Sequence, residues 1–327
     1  MVSHFHNKRN DRKGKTMKYL VTGGCGFVGS HLVDELVKNG HTITVIDNMS
    51  NGNTDNLSEC YGTGNVEIIN QDINKIDEEF TPPNPKFDGI FHLATHIRSF
   101  SLQDPKRDIE VNCVGMISVL ELARKHRAKV VFTSNSGIYG SGANVDETFS
   151  DNPLTPYDTN KLASEWYCKI YHNIYGVECA TVRFATVYGE RQVVNESLNC
   201  KPLVSTFVQN IVNNEQVIIN SDGKQTRDLL YVKDAVQGVI KAMNSDVIDG
   251  SVCLISTHTE TSVNEVFNII KKLTGYTKEP IYNKALLGDI RRMCLNNTKA
   301  KETIGFEPKY TSIEGIKRLV DYEREKK

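Results

Sequence analysis

Tyr157 and Lys161 are the pair of residues best suited to acid–base chemistry in this sequence. They stand four residues apart in a stretch with helical spacing, so both side chains project from one face of a helix. Thr155 can cap that helix, with Pro156 in its first turn. A tyrosine has a pKa of about 10, and a nearby ammonium group favours the phenolate that can accept a proton. A solvated pair on a helix surface is the alternative interpretation.

Hydroxyl groups follow the predicted strand 129–134, in the segment that ends at Gly140. A hydroxyl in this segment could share a hydrogen bond with a substrate alcohol and the oxygen of Tyr157. The alternative is an ordinary turn at the end of a strand.

A glycine-rich turn near the start of the chain indicates a dinucleotide site. The apolar strand 19–22 leads into Gly23, Gly26 and Gly29, and a helical run follows. The first glycine permits the tight turn, the second lets the backbone approach a pyrophosphate, and the third lets helix and strand pack closely. Free N–H groups at the helix start would hold the pyrophosphate.

Asp47 follows the next predicted strand, 42–46, eighteen residues after Gly29. A carboxylate there can accept both hydroxyls of an adenosine ribose and repels a 2′-phosphate. No arginine stands near Asp47 in the sequence to bind such a phosphate. The sequence therefore predicts NAD rather than NADP, and beside NAD the Tyr157–Lys161 pair becomes a catalytic candidate.

Composition excludes several classes of function. The net charge of −1 gives no electrostatic case for nucleic acid, and no apolar run in the 327 residues approaches the length of a membrane span. The eight cysteines form no Cys-x-x-Cys pair, which argues against a zinc site and a disulfide framework. Residues 1–16 lack the apolar region of a signal peptide, so we expect a loose tail and a cytoplasmic protein.

Strands and helices alternate from residue 17 to about 185, which predicts an α/β fold with a doubly wound parallel (Rossmann) sheet. We expect an NAD-binding domain over 17–188 and a smaller C-terminal α/β substrate-binding lobe over 189–327, with segments near 229–257 returning to the first domain. The predicted helices include 112–126 and 155–174. The further predicted strands are 66–70, 87–94, 179–184, 229–232 and 252–255.

These motifs together resemble an extended short-chain dehydrogenase/reductase of the nucleotide-sugar epimerase and dehydratase family. The matching segments are 22–29, 47–52, 71–73, 92–95, Asn112, 133–140, Tyr157 with Lys161, 183–189, 222–228, 231–234, 288–292 and 305–308. The resemblance implies a nucleotide-diphosphate sugar as substrate, with contacts from Asn135, Thr186, Arg227, Arg291 and Arg292. It implies cofactor contacts from Gly23, Gly26, Phe27, Val28, Gly29, Asp47, Asn48, Ser50, Asn51, Gly52, Asp72, Ile73, Leu93, Ala94, Thr95, Asn112, Tyr157 and Lys161.

The chain departs from the family pattern at four places. Many relatives have Ser or Thr where Asn135 stands, so the helper hydroxyl is expected from Ser134 or Ser136. The 4,6-dehydratases carry an Asp-Glu pair at the positions of Ser136 and Gly137. Thr186 resembles the glucuronate epimerases rather than the galactose epimerases. An arginine usual before residues 288–289 is replaced by Leu286 and Leu287, which leaves Arg291 or Arg292 for its role.

The sequence therefore predicts an NAD-dependent nucleotide-sugar epimerase, acting at C4 of a UDP-hexose or UDP-hexuronate through a transient 4-keto intermediate. The alternatives are 4-oxidation, decarboxylation or dehydration of a nucleotide sugar, an NAD(P)-dependent reductase, and a non-catalytic NAD-sensing protein. A wide apolar arc on the Tyr157 helix, together with the resemblance, predicts a homodimer. That arc comprises Leu162, Trp166, Ile170 and Ile174 on one stripe and Ala163, Tyr167 and Tyr171 on another.

Overall fold

A computed structural model describes residues 15–76, 86–195, 200–285 and 290–327 of the chain. Most of the predicted tail, and positions 286–289, lie outside the described residues. The strands are β1 (Lys18–Thr22), β2 (Thr42–Asp47), β3 (Val66–Asn70), β4 (Gly89–His92), β5 (Lys129–Asn135), β6 (Gly142–Val145), β7 (Cys179–Phe184), β8 (Thr186–Tyr188), β9 (Ile218–Asn220), β10 (Thr226–Tyr231), β11 (Asp249–Ile255), β12 (Glu260–Ser262), β13 (Ile281–Asn283) and β14 (Met293–Leu295).

The helices alternate with these strands over the first half of the chain. They are α1 (Phe27–Lys38), α2 (Ser58–Tyr61), α3 (Arg98–Ser101), α4 (Pro105–Ile109), α5 (Gly115–His126), α6 (Pro156–Tyr175), α7 (Leu203–Val212), α8 (Val232–Asn244), α9 (Val263–Thr274), α10 (Thr298–Ile304) and α11 (Ser312–Glu325). A π-helical turn, Glu110–Val114, joins α4 to α5. None of the helices described combines the length and apolar composition that a membrane crossing needs.

Seven parallel strands form the central sheet, in the order β11-β7-β5-β4-β1-β2-β3. Successive side chains of a strand point to opposite faces, so Tyr19 and Val21 join one apolar cluster and Leu20 joins the other. Helices α1 and α8 cover the first face, and α5 and α6 cover the second. Strands buried on both faces read as continuous apolar runs. The predicted α/β fold with a doubly wound parallel sheet is confirmed.

Several predicted elements differ from the observed ones at one or both ends, among them β4 and the helix predicted from residue 112. Strand β4 stops at His92, earlier than predicted, because the backbone N–H groups of Leu93 and Ala94 turn to bond the carbonyl and hydroxyl oxygens of Thr22 at 3.1 and 3.2 Å. The helix predicted from residue 112 is the C-terminal part of a helical run that starts at Pro105.

The second half of the chain contributes both to the central sheet and to the part of the structure outside it. Strand β11 pairs with β7 at the edge of the central sheet. Small sheets (β12-β10-β8, β13-β9 and β14-β6) and a third apolar cluster, to which α7, α9 and α11 contribute, form the remainder. The division of the chain at residue 188 stays a prediction.

Candidate functional site

A cavity of about 490 Å³ opens at the carboxyl ends of β1, β2, β4 and β5. Parallel sheets of this kind bind ligands beyond these strand ends. All the predicted cofactor residues line the cavity except Asp72 and Asn112. Of the predicted catalytic residues, Tyr157, Lys161 and Ser134 line it and Ser136 does not.

The glycine turn leaves no room for side chains. Gly23 has a φ of +70°, and a Cβ added to it would come within 2.7 Å of the backbone nitrogen of Ala94. A Cβ on Gly29 would overlap the carbonyl oxygen of Gly23. Gly26 precedes α1 without any side-chain cap, so the N–H groups of the first helical turn face the cavity that Phe27 and Val28 line. This arrangement fits the pyrophosphate of a dinucleotide.

The carboxylate of Asp47 is held in place at the end of β2. Its Oδ2 accepts the N–H of Cys25 and its Oδ1 accepts that of Met49, both at 3.0 Å. Burial raises the pKa of Asp47, and the two hydrogen bonds act in the opposite direction. Gly52 lies so close that a Cβ there would be 2.9 Å from Oδ2. Asp47 is therefore positioned to accept ribose hydroxyls.

Asp72 lies behind the cavity wall, where it anchors Arg107. Its carboxylate accepts hydrogen bonds from the Arg107 guanidinium, from Asn48 Nδ2 at 3.2 Å and from Asn74 N at 3.1 Å. Burial raises the pKa of Asp72, but these bonds lower it below its usual range. Arg107 itself lines the cavity and also bonds Glu110 at 3.0 Å. Sequence analysis missed this arginine because it is distant from Asp47 along the chain.

Tyr157 and Lys161 lie in the first turns of α6, which Thr155 caps by accepting the N–H of Asp158 at 3.2 Å. The Lys161 Nζ lies 5.9 Å from the centre of the Tyr157 ring and 4.5 Å from that of Phe132. Lys161 is only 2% exposed, and burial lowers its pKa to about 8 although Asp108 and Glu165 oppose that shift.

Burial also raises the pKa of Tyr157 above its usual range. The carboxylates of Asp158 and Asp108 raise the pKa of Tyr157 further, whereas the nearby Thr95 hydroxyl and the charge of Arg98 lower it. A phenolate at this position therefore depends on hydrogen-bond donors and positive charge close to the tyrosine oxygen.

Asn112 supports the cavity from behind. It is 1% exposed, and its Oδ1 accepts the Thr95 hydroxyl at 2.9 Å and the His96 N–H at 3.2 Å. Its Nδ2 donates to the His96 carbonyl at 3.1 Å and to Asp108 Oδ1 at 2.8 Å. Asn112 thus fixes the loop after β4, whose residues 93–97 line the cavity.

The turn after β5 contains polar groups with and polar groups without hydrogen-bond partners among the described residues. Asn135 Oδ1 accepts the N–H of Gly137 at 2.7 Å, which caps the 3₁₀ turn Ser136–Tyr139. The Ser134 Oγ and the Asn135 Nδ2 are buried and have no hydrogen-bond partner within the described part of the chain. A Cβ on Gly137 would overlap Asp158 Oδ1.

The residues predicted to bind substrate lie outside the cavity lining. Arg227 donates to the carbonyl oxygens of Thr226 at 2.8 Å and Ile290 at 2.6 Å. Arg291 pairs with Asp222 at 2.7 Å and Arg292 with Glu260 at 2.7 Å. Their roles, with those of Asn135 and Thr186, stay predictions, and Leu286 and Leu287 lie outside the described residues. The lining residues that sequence analysis did not predict include His96, Ile97, Phe100, Val111, Thr133 and Phe184.

The comparisons with known proteins agree on one family of enzymes. Residues 19–269 match the model of the NAD dependent epimerase/dehydratase family. A putative UDP-glucose 4-epimerase of Methanocaldococcus jannaschii is 37% identical over 310 residues, which cover 93% of this chain and 97% of that protein. UDP-glucuronic acid decarboxylase 1 of Xenopus tropicalis is 32% identical, over 96% of this chain and 73% of that protein. The UDP-glucose 4-epimerase of Thermotoga maritima, solved with UDP-glucose, superposes with a TM-score of 0.88 at 36% identity, over 95% of this chain and 99% of that one.

Proposed function

The chain belongs to the NAD-dependent epimerase/dehydratase family, and we propose that it inverts C4 of a UDP-linked hexose or hexuronate through a transient 4-keto sugar. The observation that carries the proposal is the meeting of Tyr157, Lys161, Asp47 and the glycine turn in one cavity. The 4-epimerase relatives support the choice of reaction. The free cysteines fit a cytoplasmic location, where thiols stay reduced.

The residues of the cavity fit NAD. The glycine turn would hold the pyrophosphate, Asp47 the adenosine ribose, and Tyr157 with Lys161 would lie at the nicotinamide end. NAD supplies the hydride acceptor and donor when bound.

Tyr157 carries the proton chemistry in this proposal. As a phenolate it removes the proton of the C4 hydroxyl, and after the 4-keto sugar turns over it returns that proton. The Lys161 ammonium favours the phenolate by its charge. Because the proton and hydride both return, the reaction has no net redox change.

Arg227 is the proposed ligand of the substrate diphosphate, on the resemblance of residues 222–228. A charge-assisted contact to phosphate contributes roughly 1.5–3 kcal/mol. Arg227→Ala should therefore raise the Kd for UDP by about ten- to a hundred-fold in calorimetry. A Kd within about two-fold of the parent value would show that Arg227 does not bind the diphosphate.

Elimination of water needs an acid and a base besides Tyr157. Ser136 and Gly137 occupy the positions at which the dehydratases carry them, and neither can supply either function. The carboxylate of Asp158 lies against Gly137, but it is 1% exposed, accepts the Thr155 hydroxyl at 2.7 Å and does not line the cavity. These features argue against elimination of water as the step that follows oxidation.

The experiment is incubation of the protein with UDP-, GDP-, CDP- and dTDP-sugars, with products identified by NMR and mass spectrometry. We expect a C4 stereoisomer of the same mass from a UDP-sugar, without net change in absorbance at 340 nm. Tyr157→Phe should abolish product while NAD still binds. Loss of carbon dioxide would instead support decarboxylation, the second candidate, which the 32% identical decarboxylase favours. Loss of water would contradict both.

A further inference from the structure

The order of strands in the central sheet indicates which end of the cavity receives the adenine of NAD. Strands β5, β4, β1, β2 and β3 lie side by side in that order. The Lys161 Nζ lies 4.5 Å from the ring centre of Phe132 on β5, the glycine turn follows β1, and Asp47 ends β2. A dinucleotide with its nicotinamide near Lys161 and its adenosine ribose at Asp47 therefore places the adenine beyond β2, at the carboxyl end of β3.

Arg107 reaches this end of the cavity from α4. Asp104 caps α4 by accepting the N–H of Arg107 at 3.0 Å. The side chain of Arg107 donates to the carboxylate of Asp72, which stands two residues after β3. Arg107 lines the cavity together with Gln71 and Ile73. The ion pair with Asp72 thus places the guanidinium at the carboxyl end of β3.

Two carboxylates hold the Arg107 guanidinium by its edge. Nη2 donates to Asp72, and Nη1 donates to Glu110 Oε2 at 3.0 Å. Asp72 is itself held, because it accepts Asn48 Nδ2 at 3.2 Å and the N–H of Asn74 at 3.1 Å. Hydrogen bonds to a guanidinium lie in its plane, so these contacts fix the plane and leave its two faces available for stacking. The side chain is 32% exposed.

Apolar side chains form the other walls at this end of the cavity. Ile46, Ile73 and Val111 line it, and Val111 stands about one helical turn after Arg107. A Cβ on Gly115 would lie 2.6 Å from Ile73, so the helical run that carries Arg107 packs closely against the turn after β3. Apolar walls and one planar cation suit a purine ring, which can be bound by its faces.

Asp72 is less well placed to meet the adenine. The family resemblance implies a cofactor contact from Asp72, but this residue is absent from the cavity lining in the described part of the chain. Its carboxylate already accepts hydrogen bonds from three partners. Arg107 is the member of the ion pair that lines the cavity.

We propose that Arg107 binds the adenine of NAD by stacking the face of its guanidinium on the ring, and that Asp72 is a positioning residue that holds Arg107 in this orientation. The inference rests on the placement of NAD in the proposed function, but not on the reaction assigned to Tyr157. A cation is attracted to the π-face of a base, and every base has such a face. Binding of the base should therefore depend on the planar face of Arg107 rather than on the amino group of adenine.

The test measures, by calorimetry, the Kd for NAD and the Kd for ADP, which keeps the adenine, its ribose and the diphosphate. Arg107→Lys keeps the positive charge and can still pair with Asp72, but it lacks the planar face. Arg107→Lys and Arg107→Met should each raise both Kd values by about five- to thirty-fold. Lys106→Met, at an exposed position of the same helix, is the matched control and should leave both values within about two-fold of the parent.

A second comparison tests whether Asp72 contacts the base directly. Nicotinamide hypoxanthine dinucleotide carries an oxo group in place of the amino group of adenine. The parent should bind this compound and NAD with Kd values that agree within about three-fold, because stacking tolerates the exchange. Asp72→Asn should raise both Kd values by the same factor. A parent preference for NAD of more than about ten-fold that Asp72→Asn removes would show that Asp72 binds the amino group, and would overturn the inference.

The outcomes separate failure of this inference from failure of the proposed function. Kd values of Arg107→Lys that equal those of the parent would show that only the ion pair matters and would overturn the stacking. If Arg107→Met does not fold, Arg107→Lys alone decides. A parent protein that binds neither NAD nor ADP would overturn the cofactor placement and the inference with it. A parent that shows the expected Kd values but forms no C4 stereoisomer would contradict the proposed reaction and support the role of Arg107.

Discussion

We expect the preference for NAD over NADP to depend on a single residue, Asp47. It lines the cavity at the end of β2, and the cavity arginine Arg107 is already bonded by Asp72 and Glu110. We expect tighter binding of NAD than of NADP by calorimetry, because a 2′-phosphate would meet the Asp47 charge. Asp47→Ala should raise the Kd for NAD by about ten-fold and reduce the difference between the Kd values for NAD and NADP.

Glu59→Ala is the matched control for this experiment. Glu59 is exposed and lies outside the cavity lining, so the Kd values of Glu59→Ala for NAD and NADP should equal those of the parent. A parent protein that binds NADP more tightly than NAD would contradict the assignment of Asp47.

The buried ammonium of Lys161 makes stability depend on pH. Burial lowers its pKa from 10.5 to about 8. Between these values the unfolded chain keeps a proton that the folded protein has lost, so the free energy of unfolding rises with pH across that window. Relative to Lys161→Met, the protein should gain about 3 kcal/mol of unfolding free energy between pH 7 and pH 10.5.

Urea unfolding in pH steps, without added nucleotide, measures this difference. Lys169→Met is the matched substitution at an exposed position of the same helix. A difference between parent and Lys161→Met that stays constant over the range would show that Lys161 titrates as it does in the unfolded chain.

At the scale of the element, the close contact between β1 and α1 depends on Gly29. A Cβ there would overlap the Gly23 carbonyl oxygen, so the turn that holds the pyrophosphate would have to move. Gly29→Ala should weaken NAD binding by at least about ten-fold and lower the free energy of unfolding by about 1–3 kcal/mol. Calorimetry and urea unfolding measure the two effects.

Gly62→Ala provides the comparison for Gly29→Ala. Gly62 faces open space and has a φ of −83°, which any residue adopts. Its substitution should change the free energy of unfolding by less than about 0.5 kcal/mol and leave NAD binding unaltered. Similar losses in both variants would mean that the close approach at Gly29 is unimportant.

The elements with strong periodicity were predictable from the sequence. Strands β3 and β7 have the predicted bounds, and α6 begins one residue after its predicted cap, Thr155. The short strands β6, β8, β9, β12, β13 and β14 were missed, because three or four residues carry too little pattern and their partners lie far away in the chain. The π-helical turn before α5 was missed because its apolar spacing is close to that of an α-helix.

For the site, the local motifs together with the family resemblance predicted most of the cavity lining, because the residues concerned lie within short segments of the sequence. Contacts between distant segments were not predictable. Asn112 acts through the loop at Thr95 and His96, and Arg107 reaches Asp72 from another helix.

At the scale of the whole molecule, α6 presents an apolar face to solvent. Trp166, Ile170 and Ile174 are 56%, 41% and 67% exposed, whereas Tyr171, on the other predicted stripe, is buried. Ile109 and Val114, on segments packed against α6, are also exposed. An apolar patch of this kind is typical of an interaction surface. A second copy of the chain can cover it with the same face, which would give a two-fold symmetric dimer.

We therefore expect sedimentation to show a dimer at micromolar concentration. Trp166→Glu and Ile170→Glu should each shift the protein toward monomer, because a charge buried between two apolar faces without a partner is costly. Tyr282→Glu is the matched control, since Tyr282 is also half exposed but lies on β13, far from α6 in the chain. It should leave the dimer intact. A parent protein that sediments only as a monomer would contradict the predicted dimer, and the apolar face of α6 would then need another partner.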